Sequence, residues 1–173
     1  HFIVPSYRQE RGHIFYEALT TLAYVSSIAT RCRLGVAVLA LPPRSAVLVG
    51  KQVATLDALS QGRVLLGVGT GWIEEELRYL GAAWQQRGGM LDEAVQVLRD
   101  LWSDEAANSF QGQFTTFTDI TCFPKPVQPG GPPVLIGGMT APSLKRVAMQ
   151  GDGWIPWAVS PQELKDGVAR IRA

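Results

Sequence analysis

The stretch Ala54 to Trp72, ATLDALSQGRVLLGVGTGW, constrains the fold more than any other part of the chain. Leu56 and Leu59 share a helical face, Gly62 supplies a stop, and Arg63 opens an apolar run, Val64 to Val68, of buried-strand length. The order is helix, tight turn, strand. Alternating glycines, Gly67, Gly69 and Gly71, end the strand just before an acidic helix start at Glu74, Glu75 and Glu76. Glycines at a strand's carboxyl end let a ligand approach the backbone, and a following helix favours negative charge at its first turn. A site built on a strand-to-helix turn is therefore expected here. The dinucleotide fingerprint G-x-G-x-x-G is not completed, because Trp72 stands where its third glycine belongs.

Composition narrows the classes of function. With 173 residues, 46% hydrophobic and 18% charged, the chain has apolar material for one core, hence one domain or part of one. Its net charge of +1 comes from 16 basic and 15 acidic residues with interspersed signs, and no basic run tracks a phosphate backbone. Nucleic acid is not an expected partner. Cys32 and Cys122 show no CxxC spacing, which argues against a disulfide framework or a zinc site and suits reduced thiols in a cytoplasm. The longest apolar run, Leu34 to Leu41, is far shorter than the roughly 20 residues that span a bilayer, so no membrane partner is expected. The opening residues do not read as a signal peptide. His1 to Val4 reads as the end of a strand, and the chain is expected to be a fragment of a longer one.

Taken in order, a polar loop after Pro5 leads to a predicted helix from Ile14 to Thr30, with Phe15, Ala18, Leu19, Leu22 and Ala29 on one face. Leu34 to Leu41 is an unbroken apolar strand, the pattern of a parallel strand covered on both faces, and Pro42-Pro43 ends it. A second helix, Ser45 to Leu59, runs into the strand already described, and Met90 to Trp102 is a third amphipathic stretch. The alternation breaks at FQGQFTTFTDITCF, Phe110 to Phe123, which predicts extended or hairpin structure, peripheral and inserted within a segment of about 103–131. Beyond the proline-rich exit come a strand at Val134 to Ile136, a Gly137-Gly138 turn, a helix from Pro142 stopped by Gly151, and a strand at Trp154 to Trp157. Ser160-Pro161-Gln162-Glu163 is a capping box that opens a closing helix to Arg172. Strand and helix alternate four times, which means a parallel sheet with its site at the carboxyl ends of the strands.

LGVAVLALPPR, KQVATLDALSQGRVLLGVGTGW, LDEAVQVLRDLW, PKPVQPGGPPVLIGG and GDGWIP together resemble the luciferase-like monooxygenase family, and within it the oxidoreductases that use the deazaflavin coenzyme F-420. The resemblance implies a (β/α)8 TIM barrel of about twice this length, present as an incomplete barrel from about the end of strand two to helix six. Such a wall cannot close and leaves strand edges bare.

The resemblance also implies a site. Ala37-Val38 falls where the family carries a non-prolyl cis peptide that bulges under the flavin or deazaflavin ring. Gly69, Thr70, Gly71 and Trp72 match the mouth of strand four, although Trp72 could equally belong to the core. Gly137, Gly138, Met139 and Thr140 match the turn that holds the cofactor's phosphate; by itself a Gly-Gly turn opening a helix is either an anion site or an ordinary loop. His1 matches the histidine of an Asp-His pair near the ring's reactive carbon, and a side chain titrating near neutrality suits proton transfer. His13 reads as a loop residue. Asp57 and Arg63, at the bottom face, read as a structural ion pair, and Asp152 likewise as structural. Arg44 and Arg87 read as loop charges at the mouth.

The expected activity is hydride transfer between coenzyme F-420 and a small organic substrate, with a homodimer among the assemblies open to the chain. An FMN-dependent monooxygenase using reduced flavin and oxygen, or a non-catalytic flavin-binding relative, are the alternatives.

Overall fold

The chain folds by the helical and strand periods of its sequence, and the computed structural model describes residues 14–172. Among the described residues six α-helices and six strands follow one another, with a short 3-10 turn, Trp84–Gln86, before α4: α1 Ala18–Ile28, β1 Leu34–Ala40, α2 Ala46–Ser60, β2 Val64–Gly69, α3 Glu74–Tyr79, α4 Arg87–Trp102, β3 Asn108–Gln111, β4 Thr116–Ile120, β5 Val134–Gly137, α5 Ala141–Gln150, β6 Gly153–Ile155 and α6 Pro161–Arg172. Helix α1 is shorter than its apolar pattern predicts, because Glu17 caps it by accepting from the Thr20 N–H and Ala29 leaves the helical region. The capping box forms as read: the Ser160 N–H donates to Glu163 Oε2 at 2.8 Å and the Glu163 N–H donates to Ser160 Oγ at 3.3 Å. Gly151 stops α5 with an extended backbone rather than a left-handed one, and a Cβ there would lie 2.9 Å from Ile136 Cγ1. Close packing on β5 requires glycine at this position.

Strands β1, β2, β5 and β6 pair in parallel in that order, while β3 and β4 form a separate antiparallel hairpin. The parallel order never reverses along the sheet, so there is no switch point of the doubly wound kind. Register sets two kinds of row. Val36, Leu66 and Val134 form one row, and Leu39, Val68, Ile136 and Trp154 another; both turn toward the helices. There they join Val49, Val53, Leu91, Val95, Leu98, Leu101 and Trp102 in a single core. Each fully buried aliphatic side chain contributes about 1.5–3 kcal/mol, so this layer dominates the fold's stability. The alternate rows, such as Gly67, Leu135 and Gly153, face the concave side. β1 is not covered on both faces as its unbroken apolar run predicts: Gly35, Ala37 and Val38 are exposed, because four strands form an arc that the described residues do not close.

The bottom of the arc is fixed by polar contacts that differ from the predicted ion pair. Asp57, fully buried, accepts from the Val127 N–H at 2.8 Å, the Gln128 N–H at 3.1 Å and Gln128 Nε2 at 2.8 Å. Arg63 does not pair with it. Its guanidinium donates instead to the carbonyls of Ser26, Ala29, Cys32 and Ser60, where the last turns of α1 and α2 leave acceptors unsatisfied. Asp152 is structural, as read: Oδ2 accepts from the Val134 N–H at 2.7 Å and pairs with Arg99.

Candidate cofactor site

The carboxyl ends of β1, β2 and β5 converge. Pairing of β1 with β2 shifts register between Val36 and Leu39, and the Ala37-Val38 peptide that the resemblance singles out is cis. The shift turns the Val38 side chain across the neighbouring strands. A Cβ on Gly69 would lie 2.9 Å from Val38 Cγ2, and one on Gly137 would lie 2.7 Å from Val38 Cγ1. Two glycines on two strands therefore make room for one valine, which stands exposed above them. Ala37, Val38, Gly69 and Gly137 are thus brought together as a low shelf.

Gly71 follows at φ 78°, where a Cβ would meet Leu77 Cδ1 at 2.6 Å. This bends the chain into α3 and leaves Trp72 half exposed at the rim, outside the core. Thr70 is partly buried beside it. The three carboxylates opening α3 already supply the negative charge its first turn favours, so that helix start does not suit a phosphate.

The other turn behaves differently from its sequence reading. Gly138 has φ 126°, its N–H donates to Ile155 O at 3.3 Å, and its carbonyl accepts from Trp154 Nε1 at 2.7 Å. It therefore ties β5 to β6 and does not offer its N–H to an anion. Thr140 caps α5 by accepting from the Ser143 N–H, and the Thr140 and Ser143 hydroxyls lie 2.9 Å apart. The polar groups open to an anion at this turn are these two hydroxyls and the Ala141 N–H, because Pro142 carries no N–H and the Ser143 and Leu144 N–H groups donate to Thr140; Met139 is partly buried beside them. His1 lies outside the described residues.

Sequence reasoning missed the anchoring of the rim. Arg44 pairs with Glu17 at 2.9 Å, joining the cap of α1 to the loop before α2. Burial pulls the Arg44 guanidinium below its ordinary value, against the charges of Glu17 and Glu76. Burial pulls the Glu17 carboxyl up, but hydrogen bonds from Thr20 and Leu19 together with Arg44 outweigh it and hold the carboxyl below its ordinary value. Arg87 lies on the Trp84 ring, 3.6 Å from its centroid, and donates to the Trp84 carbonyl. Arg44 and Glu17 are too far apart in the chain for a spacing rule, whereas Arg87 and Trp84 stand three residues apart, the spacing at which helical neighbours meet.

A family model described as luciferase-like monooxygenase matches residues 2–173. The chain belongs to the luciferase-like monooxygenase family. An uncharacterized protein of Mycobacterium bovis is 35% identical over 161 residues, 93% of this chain and 54% of its own. The F-420-dependent glucose-6-phosphate dehydrogenase of Amycolatopsis mediterranei is 31% identical over 159 residues, 90% of this chain and 46% of its own. The FMNH(2)-dependent dimethylsulfone monooxygenase of Pseudomonas putida is 31% identical over 134 residues, 76% of this chain and 37% of its own. Among solved structures, a monooxygenase from Streptomyces bottropensis superposes with TM-score 0.82 at 24% identity, over 92% of this chain and 51% of that one. An F-420-dependent secondary alcohol dehydrogenase bound to an F-420-acetone adduct gives TM-score 0.81 at 23% identity, over 91% and 48%. These likenesses fix the fold as the luciferase-like TIM barrel. The chain spans about half the length of the curated relatives it matches, and its parallel strands are part of a barrel wall. Members of this luciferase-like family are oxidoreductases and monooxygenases, and the relatives' names carry both a deazaflavin and a reduced flavin.

Proposed function

We propose that the full-length protein is an oxidoreductase that transfers a hydride between coenzyme F-420 and a small organic substrate. The observation that carries this reading is the shelf at the strand ends, where Val38 crosses Gly69 and Gly137. A surface with no side chain taller than a valine suits a flat fused ring, and a flavin or deazaflavin is such a ring. When bound, the deazaflavin supplies hydride chemistry and, having carbon at ring position five, does not readily form an adduct with oxygen.

The chain's own residues would do the rest. Ala37, Val38, Gly69, Gly71 and Trp72 would bear on the ring, while Met139, Thr140 and the start of α5 would hold the phosphate, with Gly137 and Gly138 shaping that turn. His1 would hold or release the proton that accompanies hydride movement, a role supported by its place in the family resemblance. Coenzyme F-420 is preferred to FMN because the five sequence segments resemble deazaflavin enzymes, and because the F-420-dependent relative aligns over 90% of the chain. The Pseudomonas putida relative supports the FMN reading at equal identity over a shorter span.

Titrating the full-length protein with each oxidised cofactor tests the choice. Tighter binding of coenzyme F-420, with turnover that consumes no oxygen, is expected. Tighter binding of FMN, with oxygen uptake once it is reduced, would replace the proposal with the monooxygenase.

A further inference from the structure

Gly67 is the first of the three alternating glycines after Val64, and it lies deeper in the arc than the shelf. Val36 pairs with Leu66 and Leu39 with Val68, so Ala37 and Val38 of β1 stand together against Gly67 alone on β2. This is a β-bulge. Its extra residue decides where Val38 points. One-to-one pairing from Val36 onward would set Val38 opposite Val68, in the row that turns toward the helices. The bulge puts Leu39 there and leaves Val38 on the concave side, across Gly69 and Gly137.

The bulge in turn depends on Gly67. The Val36 carbonyl lies over this residue on the concave side, so a Cβ there would be 2.1 Å from Val36 O and 3.3 Å from the carbonyl carbon. Folded proteins hold such atoms at least 3.0 Å apart. From the same side Ile155 Cδ1 would be 2.7 Å away, and Gly67 is buried beneath these two groups. The two contacts differ in kind. Ile155 meets the position with the end of a side chain, which can change rotamer, but the Val36 oxygen belongs to the peptide that enters the bulge and moves only if that peptide turns. Gly69 and Gly137 make their nearest contacts with the Val38 side chain, and a Cβ on Gly35 of β1 would come no closer than 3.3 Å to a neighbour. Close approach of a second backbone is the condition that requires glycine within a strand.

We propose that Gly67 is a positioning residue of this site: with no side chain there the Val36–Ala37 peptide can tip, and the tipped peptide presents Ala37 and Val38 to the cofactor ring. Gly67 acts through the bulge and not by touching the ligand. This inference rests on the cofactor reading above and adds to it the residue that shapes the shelf from below.

The test titrates full-length Gly67→Ala with oxidised coenzyme F-420, or with FMN if wild type binds that more tightly, following the cofactor's visible absorption; stability is measured in urea. Gly35→Ala, whose new methyl group would meet Leu65 O at 3.3 Å, controls for the loss of a strand glycine. Gly67→Ala should raise the cofactor Kd about tenfold or more and alter the absorption change on binding, since a displacement of roughly 1 Å under the ring suffices for such a loss. Gly35→Ala should leave both readouts close to wild type. Ile155→Ala, alone and combined with Gly67→Ala, separates the two contacts: the double variant should still bind about tenfold more weakly than Ile155→Ala alone. Deleting Ala37 covers the case in which Gly67→Ala is too unstable to titrate. The deletion removes the extra residue and lets Val38 pair one-to-one with position 67, so it should return the urea midpoint of Gly67→Ala toward wild type without returning cofactor binding. An unchanged Kd in folded Gly67→Ala, an equal loss in Gly35→Ala, full recovery of binding in the double variant, or no recovery of the midpoint on deleting Ala37 would overturn the assignment and leave the cofactor reading in place. A wild-type protein that binds neither cofactor would remove that reading and this inference together.

Discussion

At the scale of the residue, the site rests on one side chain accommodated by two glycines. A methyl group on Gly137 would press on Val38 from 2.7 Å, tighter than folded proteins tolerate without movement. Gly137→Ala should therefore cost about 1–3 kcal/mol, the usual range for overpacking, and weaken cofactor binding. Adding Val38→Ala should recover most of that stability, and a urea-denaturation double-mutant cycle measures the coupling. Gly138 is a poorer probe, because at φ 126° any side chain is strained whether or not a ligand binds. Thr140→Ala separates the roles better: loss of the α5 cap costs about 1 kcal/mol, and a loss of cofactor affinity beyond that assigns its hydroxyl to the phosphate. Asp57 illustrates the opposite case, a buried charge far from the chemistry. Asp57→Ala strands the Val127 and Gln128 N–H groups in the interior, and a loss of at least about 3 kcal/mol is expected from those unpaired donors. Chemical denaturation should register it, while the cofactor Kd of the folded fraction stays constant.

At the scale of the element, two helix starts depend on carboxylates whose pKa is lowered by the fold. Glu163 is held down by the Ser160 N–H and hydroxyl, and Glu17 by the hydrogen bonds and charge that outweigh its burial. A group with a depressed folded pKa stabilises the native state fully above its unfolded value, here 4.5, and the contribution disappears as pH falls through the folded pKa. The urea midpoint should thus drop on acidification below about 4.5, and the double variant Glu17→Gln, Glu163→Gln should flatten that part of the profile. The hairpin β3–β4 is held in a similar way: the Glu93 carboxylate on α4 accepts from the Gln113 and Phe114 N–H groups, fixing the turn against the helix that precedes it.

At the scale of the whole molecule, the packed layer and the open layer are segregated. Helices and outward rows share one core, whereas the concave side carries Leu135 and Ile155 among glycines, and at its carboxyl ends Gly69 and Gly137 leave a low shelf around Val38. Binding at that face adds stability by mass action, about 2.7 kcal/mol at a ligand concentration a hundredfold above Kd. The melting temperature of the full-length protein should rise with saturating cofactor, more for the preferred one, and differential scanning calorimetry would show it. Among the described residues no helix is long and apolar enough to cross a membrane.

The sequence by itself determined the elements whose information is local. Unbroken apolar runs placed β1, β2 and β5, and period-3.6 patterning placed the amphipathic helices; the Ser160–Glu163 capping box was legible because all its partners lie within one turn; and alternation of strand and helix implied a parallel sheet. The glycines of the site were legible as glycines, and the resemblance gave them a use. Only the tertiary structure decided why they are needed. Gly69 and Gly137 lie far apart in the chain, and both yield to a valine from a third strand, a contact that exists only once β1, β2 and β5 are in register. The same cause misled the reading of Asp57 and Arg63: opposite charges six residues apart suggest a pair, but the buried ends of α1 and α2 present carbonyls that Arg63 satisfies, and the crossing segment brings N–H groups that Asp57 satisfies. Likewise the Gly138 N–H could be offered to an anion only if β6 did not claim it. Hydrogen-bonding partners are chosen by what folding brings within about 3 Å, and a linear sequence does not contain that distance.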